Sequence, residues 1–330
     1  MNENIIEQFK LLIKQIKLDI NNTSGLEAVK HSFRLNSIIN ALKILKEYPK
    51  KIKSSNDVKG INGVGKGTLR RIDEILKTGK LKEIKVDNFT KYLEYIDNLV
   101  KIFGIGQKKA HELVTKHNIK GINDLKKLHK NKKIKLHDNI IKGLKYVNKT
   151  KTNIPRRYID EIYLYLIKKA IVYDYNLYVV VCGSYRRLKP TSNDIDLLIY
   201  HNDIKTKQDA QKSKIMTNFI KLLVNDNFIT DNYTSYDVPT KFMGLCKYKK
   251  KHLYRIDIRL IPLKSIHTAM LYFTGSRDFN KKIRRIAMNL NYTLNEYGLF
   301  DSKNKLIPVK SEKDIFNILG VEYLSPHLRV

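Results

Sequence analysis

Asp194 and Asp196 stand one residue apart at the end of CGSYRRLKPTSNDID (residues 182–196) and run straight into Leu197, Leu198 and Ile199. Residues i and i+2 of a strand share a face, so this spacing predicts both carboxylates at one strand end. Two hard oxygen ligands held that close suit Mg2+, which binds through carboxylates, water and substrate phosphates. Just upstream, Gly183 and Ser184 offer backbone N–H groups and a hydroxyl to a phosphate, and Arg186 and Arg187 add charge-assisted donors. A DxD pair alone is common. A Gly-Ser turn, a basic pair and a DxD leading into a strand together predict a site of nucleotidyl transfer.

A two-metal site needs a third carboxylate, and Asp257 in YRIDIRL (254–260) supplies it. Alternation sends Ile256 and Ile258 to one face of that strand, and Arg255, Asp257 and Arg259 to the other. Alone, Asp257 reads more readily as a salt-bridged strand residue; with the upstream element it becomes the missing ligand. In-line phosphoryl transfer uses two cations to clamp the attacking and leaving oxygens. Asp194 and Asp196 would bridge both ions. Asp257 would bind the catalytic ion and accept the proton of a primer 3′-hydroxyl, its basicity tuned by Arg255. Ser184, Arg187 and Arg156 would neutralise the β- and γ-phosphates of a nucleotide.

Strands able to carry these groups are predicted only in the second half of the chain, at 178–182, 196–200 and 255–261. The first 150 or so residues read as helical. Ile5, Ile6, Phe9, Leu12, Ile13 and Ile16 recur at helical spacing, as do Leu35, Ile38, Ile39, Leu42 and Leu45. Ser24 and Gly25 break the first run, and Tyr48-Pro49 closes the second. Pro155, after the polar stretch 148–153, marks the expected boundary with a mixed α/β part.

One pattern occurs twice in the helical part. GINGVG (60–65) precedes a helix starting near Lys66, and IFGIG (102–106) precedes one starting near Gln107. Glycines let the backbone approach a ligand, and free N–H groups at a helix start bind phosphate. This is the helix-hairpin-helix way of holding DNA backbone without reading its sequence. One copy could be a plain helix connection; two copies in a chain this basic favour DNA.

The formal charge is +32 over 330 residues. Part of it follows a Lys-, Ile-, Asn- and Tyr-rich composition of the kind AT-rich genomes encode, in a large DNA virus or a protist. The lysines are charged whatever their origin, and binding to phosphate polymers is driven by counterion release. Two cysteines, Cys182 and Cys246, make no disulfide framework. No secretory signal and no apolar run near about 18 residues is read, so no membrane partner is expected. The expected location is intracellular: the nucleus or, for a viral protein, the virion or a cytoplasmic replication site. Lysine runs such as 249–251 recur throughout and mask any nuclear address.

With these residues on the page, the chain resembles the family X DNA polymerases, of the beta type, over nearly its full length. CGSYRR…SNDIDLLI resembles the family's first metal motif and RIDIRLIP its second. LYFTGSRDFNKKIR, TLNEYGLF and PVKSEKDIF resemble its fingers, TKFMG (240–244) a template-side palm segment, and the two glycine turns its paired helix-hairpin-helix elements. The resemblance implies a multidomain α + α/β fold. Residues 1–88 would form a helical lyase-like, 5′-phosphate-binding domain with the first helix-hairpin-helix, and 89–152 a DNA-binding subdomain with the second. Residues 153–262 would form a catalytic, nucleotidyltransferase-type palm, a mixed sheet with helices, and 263–330 a small α+β fingers subdomain that selects the nucleotide.

It further implies short-gap filling in base excision repair without a proofreading exonuclease, by a monomer acting on gapped or nicked duplex DNA and deoxynucleoside triphosphates. Two Mg2+ ions are implied, with Mn2+ as a substitute, and a monovalent cation at the helix-hairpin-helix turns. Matching positions make Gly183, Ser184, Arg187, Arg156 and Asn193 phosphate contacts, and Tyr272, Phe273 and Gly275 contacts to the sugar that exclude ribonucleotides. Asn280 would reach the minor-groove edge of the incoming base. Arg284, Lys241, Arg259 and Tyr297 would line the template side, and Arg34, Gly63, Gly65, Gly104 and Gly106 would hold DNA elsewhere. Without the resemblance, Tyr272 and Phe273 read as core aromatics and Lys241 as a solvated lysine.

The sequence departs from the family most in the first domain. Arg71 stands where a lysine forms the lyase Schiff base, Ile38 replaces a tyrosine, Phe33 a histidine and Gly67 a phosphate-binding lysine. A guanidinium stays protonated and cannot form an imine. The expectation is therefore 5′-phosphate docking, through the retained cation Arg34, with little or no lyase activity unless Lys66 or Lys77 substitutes. In the catalytic half, Asn193 replaces a glycine, and Arg277 stands where an acidic residue often flanks the nucleotide. Two other readings remain open: a template-independent nucleotidyltransferase, such as an RNA-tailing enzyme, and an inactive DNA end-binding scaffold. Paired glycine turns and the YFTGS segment speak against the first, and three intact carboxylates against the second.

Overall fold

The computed structural model describes residues 2–23, 25–84, 89–249 and 252–329. The expected helix break at Ser24, the expected domain boundary after Asn88, and Lys250 and Lys251 of the lysine run lie outside the described residues. The chain divides into two compact units, Met1–Leu144 and Lys145–Val330. The polar stretch expected to mark a boundary belongs to the second unit, to which the Lys151 N–H bonds through the Leu253 carbonyl at 2.8 Å.

The first unit is helical: α1 (Glu3–Asn22), α2 (Gly25–Glu47), α3 (Lys66–Thr78), α4 (Phe89–Val100), α5 (Gln107–His117), α6 (Ile122–Lys130) and α7 (Asp138–Tyr146). Phe9, Leu12 and Ile16 of α1 close a core with Ile38, Ala41, Leu42 and Leu45 of α2 and Ile72 and Ile75 of α3. Each such buried Leu or Ile contributes about 1.5–3 kcal/mol. Ile39, expected on this face, is exposed, because neighbours in a helix point about 100° apart and Ile38 takes the inward place.

The two glycine turns repeat one backbone conformation. Gly63 and Gly104 take φ of 93° and 87°, and Gly65 and Gly106 cap α3 and α5 at φ, ψ of −88°, 173° and −89°, 175°. A Cβ on Gly63 would sit 2.5 Å from the Asn40 amide and 2.7 Å from Ile44, and one on Gly104 would press on Ile140 and Asn139. Glycine is needed both for the dihedral and for the fit.

The second unit opens with a two-residue ladder between β1 (Ile154–Pro155) and β3 (Thr191–Ser192). Its main sheet joins β2 (Leu177–Val181), β4 (Ile195–His201), β5 (Ile229–Asn232), β6 (Lys241–Lys247) and β7 (Leu253–Leu260) in the order β2-β4-β7-β6-β5. Only β4 and β7 pair in parallel. The three expected strands are present, each shifted by one or two residues at an end; β5 and β6 were not anticipated. Helices α8 (Arg156–Tyr173) and α11 (Ile215–Asn225) pack on the sheet through Ile159, Ile162, Leu166, Phe219, Ile220 and Leu223, while α9 (Gly183–Arg186) follows β2 as one turn, and α10 (Lys207–Lys212) follows β4. The remainder comprises α12 (Ile266–Thr274), α13 (Arg277–Asn289), the meander β8 (Thr293–Asn295), β9 (Gly298–Phe300) and β10 (Leu306–Ile307), and α14 (Glu312–Ile318), packed around Phe279, Ile283, Leu299 and Phe316. No helix among the described residues is long and apolar enough to cross a membrane.

Candidate active site

Parallel pairing of β4 with β7 places Asp196 directly opposite Asp257. On β7 the alternation is strict: Tyr254, Ile256, Ile258 and Leu260 are buried, while Arg255, Asp257 and Arg259 share the other face. Asp194 precedes β4 by one residue, and the ligand oxygens of Asp194, Asp196 and Asp257 all lie within 4.8 Å of one another. Three carboxylates this close repel, and burial worsens it. Burial first, and then the Asp257 charge, push Asp196 up to about 7 against the pull of Arg187. Burial also raises Asp257, against Arg255, Lys241 and Arg259. Asp257 Oδ1 is buried and has no hydrogen-bond partner. Clustered hard oxygens, one of them unsatisfied, fit a divalent cation.

Gly183 leaves β2 at φ 56°, and a Cβ there would lie 2.1 Å from Asp196 Oδ2. The glycine therefore makes room for the Asp196 carboxylate. The Cys182 N–H bonds to the Asp196 carbonyl at 2.8 Å, which locks the turn to β4. Ser184 Oγ donates to Ser192 Oγ at 2.8 Å, and Arg187 Nη1 donates to the Thr274 carbonyl at 2.5 Å. Asn193 keeps a φ outside the left-handed region, so the replaced glycine is not required for backbone freedom there.

Across from this turn stands a wall from α12 and α13. The cavity between them holds about 570 Å3 and is lined by Gly183, Ser184, Arg187, Asn193, Asp194, Asp196, Tyr272, Phe273, Thr274, Gly275, Arg277, Asn280, Lys281 and Arg284. Tyr272 and Phe273 meet edge to face at 5.1 Å. Asn280 Nδ2 donates to the Tyr272 carbonyl at 2.7 Å, and Arg284 lies 4.8 Å over the Tyr272 ring and 3.7 Å from Glu296. Lys241 and Arg259 are cross-strand partners on β6 and β7. Burial, then Arg259, pulls the Lys241 ammonium below its usual range. Arg259 lies 5.8 Å from the Phe273 ring, and Lys207 stacks on Tyr297.

Two sequence expectations are corrected. Arg186, read as a phosphate donor, faces away from the cavity and makes a bidentate pair with Glu312 at 2.6 and 3.1 Å, adding a bond to Thr274 Oγ1. Arg156 is not in the cavity lining; it donates to the Tyr185 carbonyl at 2.7 Å and stacks on that ring at 4.0 Å. Arg255 acts on Asp257 as expected, its charge being the first of those that oppose the rise in the Asp257 pKa, while its own ion pair is with Asp194. Sequence reasoning missed Thr274, Lys281 and Glu312. All three sit inside quoted segments, Thr274 and Lys281 in LYFTGSRDFNKKIR and Glu312 in PVKSEKDIF, but the pairing of Glu312 with Arg186, 126 positions away, left no local trace.

In the first unit Glu83 accepts from both Arg34, at 2.6 Å, and Arg71. Burial pushes the Glu83 carboxyl up, but Arg71 and Arg34 outweigh it and hold it below the usual range. Arg71 also donates to the Gly67 carbonyl at 3.1 Å, and Ile38 is a core residue. Phe33 is exposed.

Family comparisons agree with this geometry. Residues 153–263 match the family model described as DNA polymerase beta palm, 269–330 the DNA polymerase beta thumb, the part called fingers above, and 2–81 a helix-hairpin-helix domain. DNA polymerase lambda of Arabidopsis thaliana is 29% identical over 100% of this chain and 62% of its own length. DNA polymerase lambda of Rattus norvegicus is 28% identical over 87% and 50%, and DNA nucleotidylexotransferase of Monodelphis domestica 24% over 99% and 68%. The chain thus spans between half and two thirds of the length of the two relatives named DNA polymerase lambda. With helix-hairpin-helix, palm and thumb in order along it, and a carboxylate triad between palm strands, the chain belongs to the family X DNA polymerases.

Proposed function

We propose that the chain is a DNA-directed DNA polymerase that fills short gaps in base excision repair by two-metal nucleotidyl transfer. The observation that carries this reading is the Asp196–Asp257 register, with Asp194 beside it, facing the α12–α13 wall across one cavity. Two Mg2+ ions, or Mn2+, held by Asp194, Asp196 and Asp257 would supply the positive charge that draws attacking and leaving oxygens together. Asp257, with its free oxygen and raised proton affinity, accepts the 3′-hydroxyl proton. Gly183, Ser184, Arg187 and Asn193 hold the triphosphate. Tyr272, Phe273 and Gly275 press on the sugar, and Asn280 meets the base. Lys241, Arg259, Arg284 and Tyr297 follow the template, and the turns at Gly63, Gly65, Gly104 and Gly106 grip duplex backbone, where a monovalent cation can be shared. Gapped or nicked DNA and deoxynucleoside triphosphates are the substrates of a monomer.

The first unit docks the 5′-phosphate of the gap and has little or no lyase activity, unless Lys66 or Lys77 substitutes for the missing amine. Arg71 is held by Glu83, and a guanidinium is no imine-forming nucleophile. A template-independent reading keeps one support: the relative named DNA nucleotidylexotransferase matches along 99% of the chain, so length-wide likeness does not separate the two. Gap filling on templates of each base, with and without a 5′-phosphate, tests all of this. Incorporation following the template, stimulated by the phosphate and abolished by Asp257→Ala, is expected. Incorporation indifferent to the template base sinks the polymerase reading, and borohydride trapping of an abasic adduct sinks the lyase-free one.

A further inference from the structure

The cavity-facing stripe of α13 runs through Arg277, Asn280, Lys281 and Arg284, spaced so that one helix face presents all four. Three are cations, and their surroundings differ. Arg284 has Glu296 and the Tyr272 ring, and Lys281 has Asp278 at 3.8 Å. Arg277 has no ion-pair partner among the described residues. It is also the first residue of α13, where the positive helix end disfavours a cation. An uncompensated guanidinium at a helix start, lining a cavity, lacks an anion.

The position of the adjoining glycine indicates which anion. The point where a Cβ on Gly275 would stand is 3.2 Å from Arg187 Nη1 and 3.5 Å from the backbone nitrogen of Arg277, and Arg187 and Arg277 both line the cavity. Arg187, on the palm wall, and Arg277, on the α13 wall, thus line the same cavity, and the glycine at its edge puts no side chain between a ligand and either. We infer that Arg277 is a second triphosphate anchor, opposite Arg187, on the nucleotide proposed above; the inference rests on that reading of the cavity. A guanidinium makes rigid, bidentate contacts to phosphate oxygens. Such a contact is blind to the base. It tightens binding of matched and mispaired nucleotides by the same factor, adding affinity without adding selectivity.

The test is nucleotide affinity in single-turnover filling of a one-nucleotide gap, for a matched and a mispaired deoxynucleoside triphosphate, in wild type, Arg277→Ala and Arg277→Lys. Arg277 is exposed, so the alanine variant keeps its fold. The expected result is a loss of about tenfold in affinity for both nucleotides with alanine, the low end for a hydrogen bond to a charged group. Lysine should recover much of it, and the weakening of binding by added salt should shrink in the alanine variant. Unchanged affinity overturns the inference, as does a loss confined to matched pairs or to purines, which would put Arg277 against the base. Wild type that fails to incorporate a templated nucleotide sinks the polymerase reading instead.

Discussion

Replacing Gly183 by alanine separates backbone strain from active-site geometry. Gly183 sits at φ 56°, and an alanine held there loses about 1–2 kcal/mol of stability. The added Cβ would also stand 2.1 Å from Asp196 Oδ2, where ordinary contact begins at 3.4 Å, so the carboxylate must retreat by about 1.3 Å. Misplacing a reacting or positioning group by about 1 Å costs on the order of 100-fold in rate. Gly320→Ala is the control: it has φ 64° and open space around the Cβ, so it carries the strain without the clash. Single-turnover gap filling and thermal denaturation should show both variants destabilised alike, and only Gly183→Ala slowed by about 100-fold. A Gly183→Ala enzyme within about threefold of wild type would show that Asp196 does not depend on that close approach.

Two further outcomes follow from charge. Because Asp196 is raised to about 7 in the fold, its folded form holds a proton that the unfolded chain has lost above about 4, so this group subtracts stability as pH rises from about 4 to 7. Asp196→Asn should therefore gain stability over metal-free wild type from pH 5 to pH 8 in thermal melts, and added Mg2+ should narrow that gap; a pH-independent difference would refute the raised pKa. Glu312→Ala strips the acceptor from Arg186 and from Arg329, which is fully buried, and should cost about 3–5 kcal/mol in denaturant unfolding. The exposed pair Lys249–Glu161 is the contrast, where Glu161→Ala should cost less than about 1 kcal/mol.

Local pattern carried a large part of the fold. Alternation on β7 put Asp257 opposite Ile256 and Ile258, as strand geometry requires, and the repeated glycine turns took the same dihedrals because each needs a residue free to adopt positive φ. β5 and β6 escaped notice because ITDN and KFMGLCK lack clean alternation and are defined by their neighbours in the sheet. Ile39 was misjudged because apolar character alone does not say which of two adjacent helical residues turns inward.

The candidate site divides the same way. Residue type and spacing within each segment singled out Asp194, Asp196 and Asp257 as the carboxylates of one cluster, placed a turn at Gly183 and Ser184, and ruled Arg71 out as an imine-forming amine. Those are properties of side chains and of i, i+2 geometry, both local. Only the tertiary structure decided how the arginines were shared: Arg186 went to Glu312, Arg255 to Asp194, Arg156 to Tyr185, and Arg34 with Arg71 to Glu83. A long cation can reach any acceptor that folding brings within range. Its partner is set by packing between segments far apart in the chain, which no local pattern records.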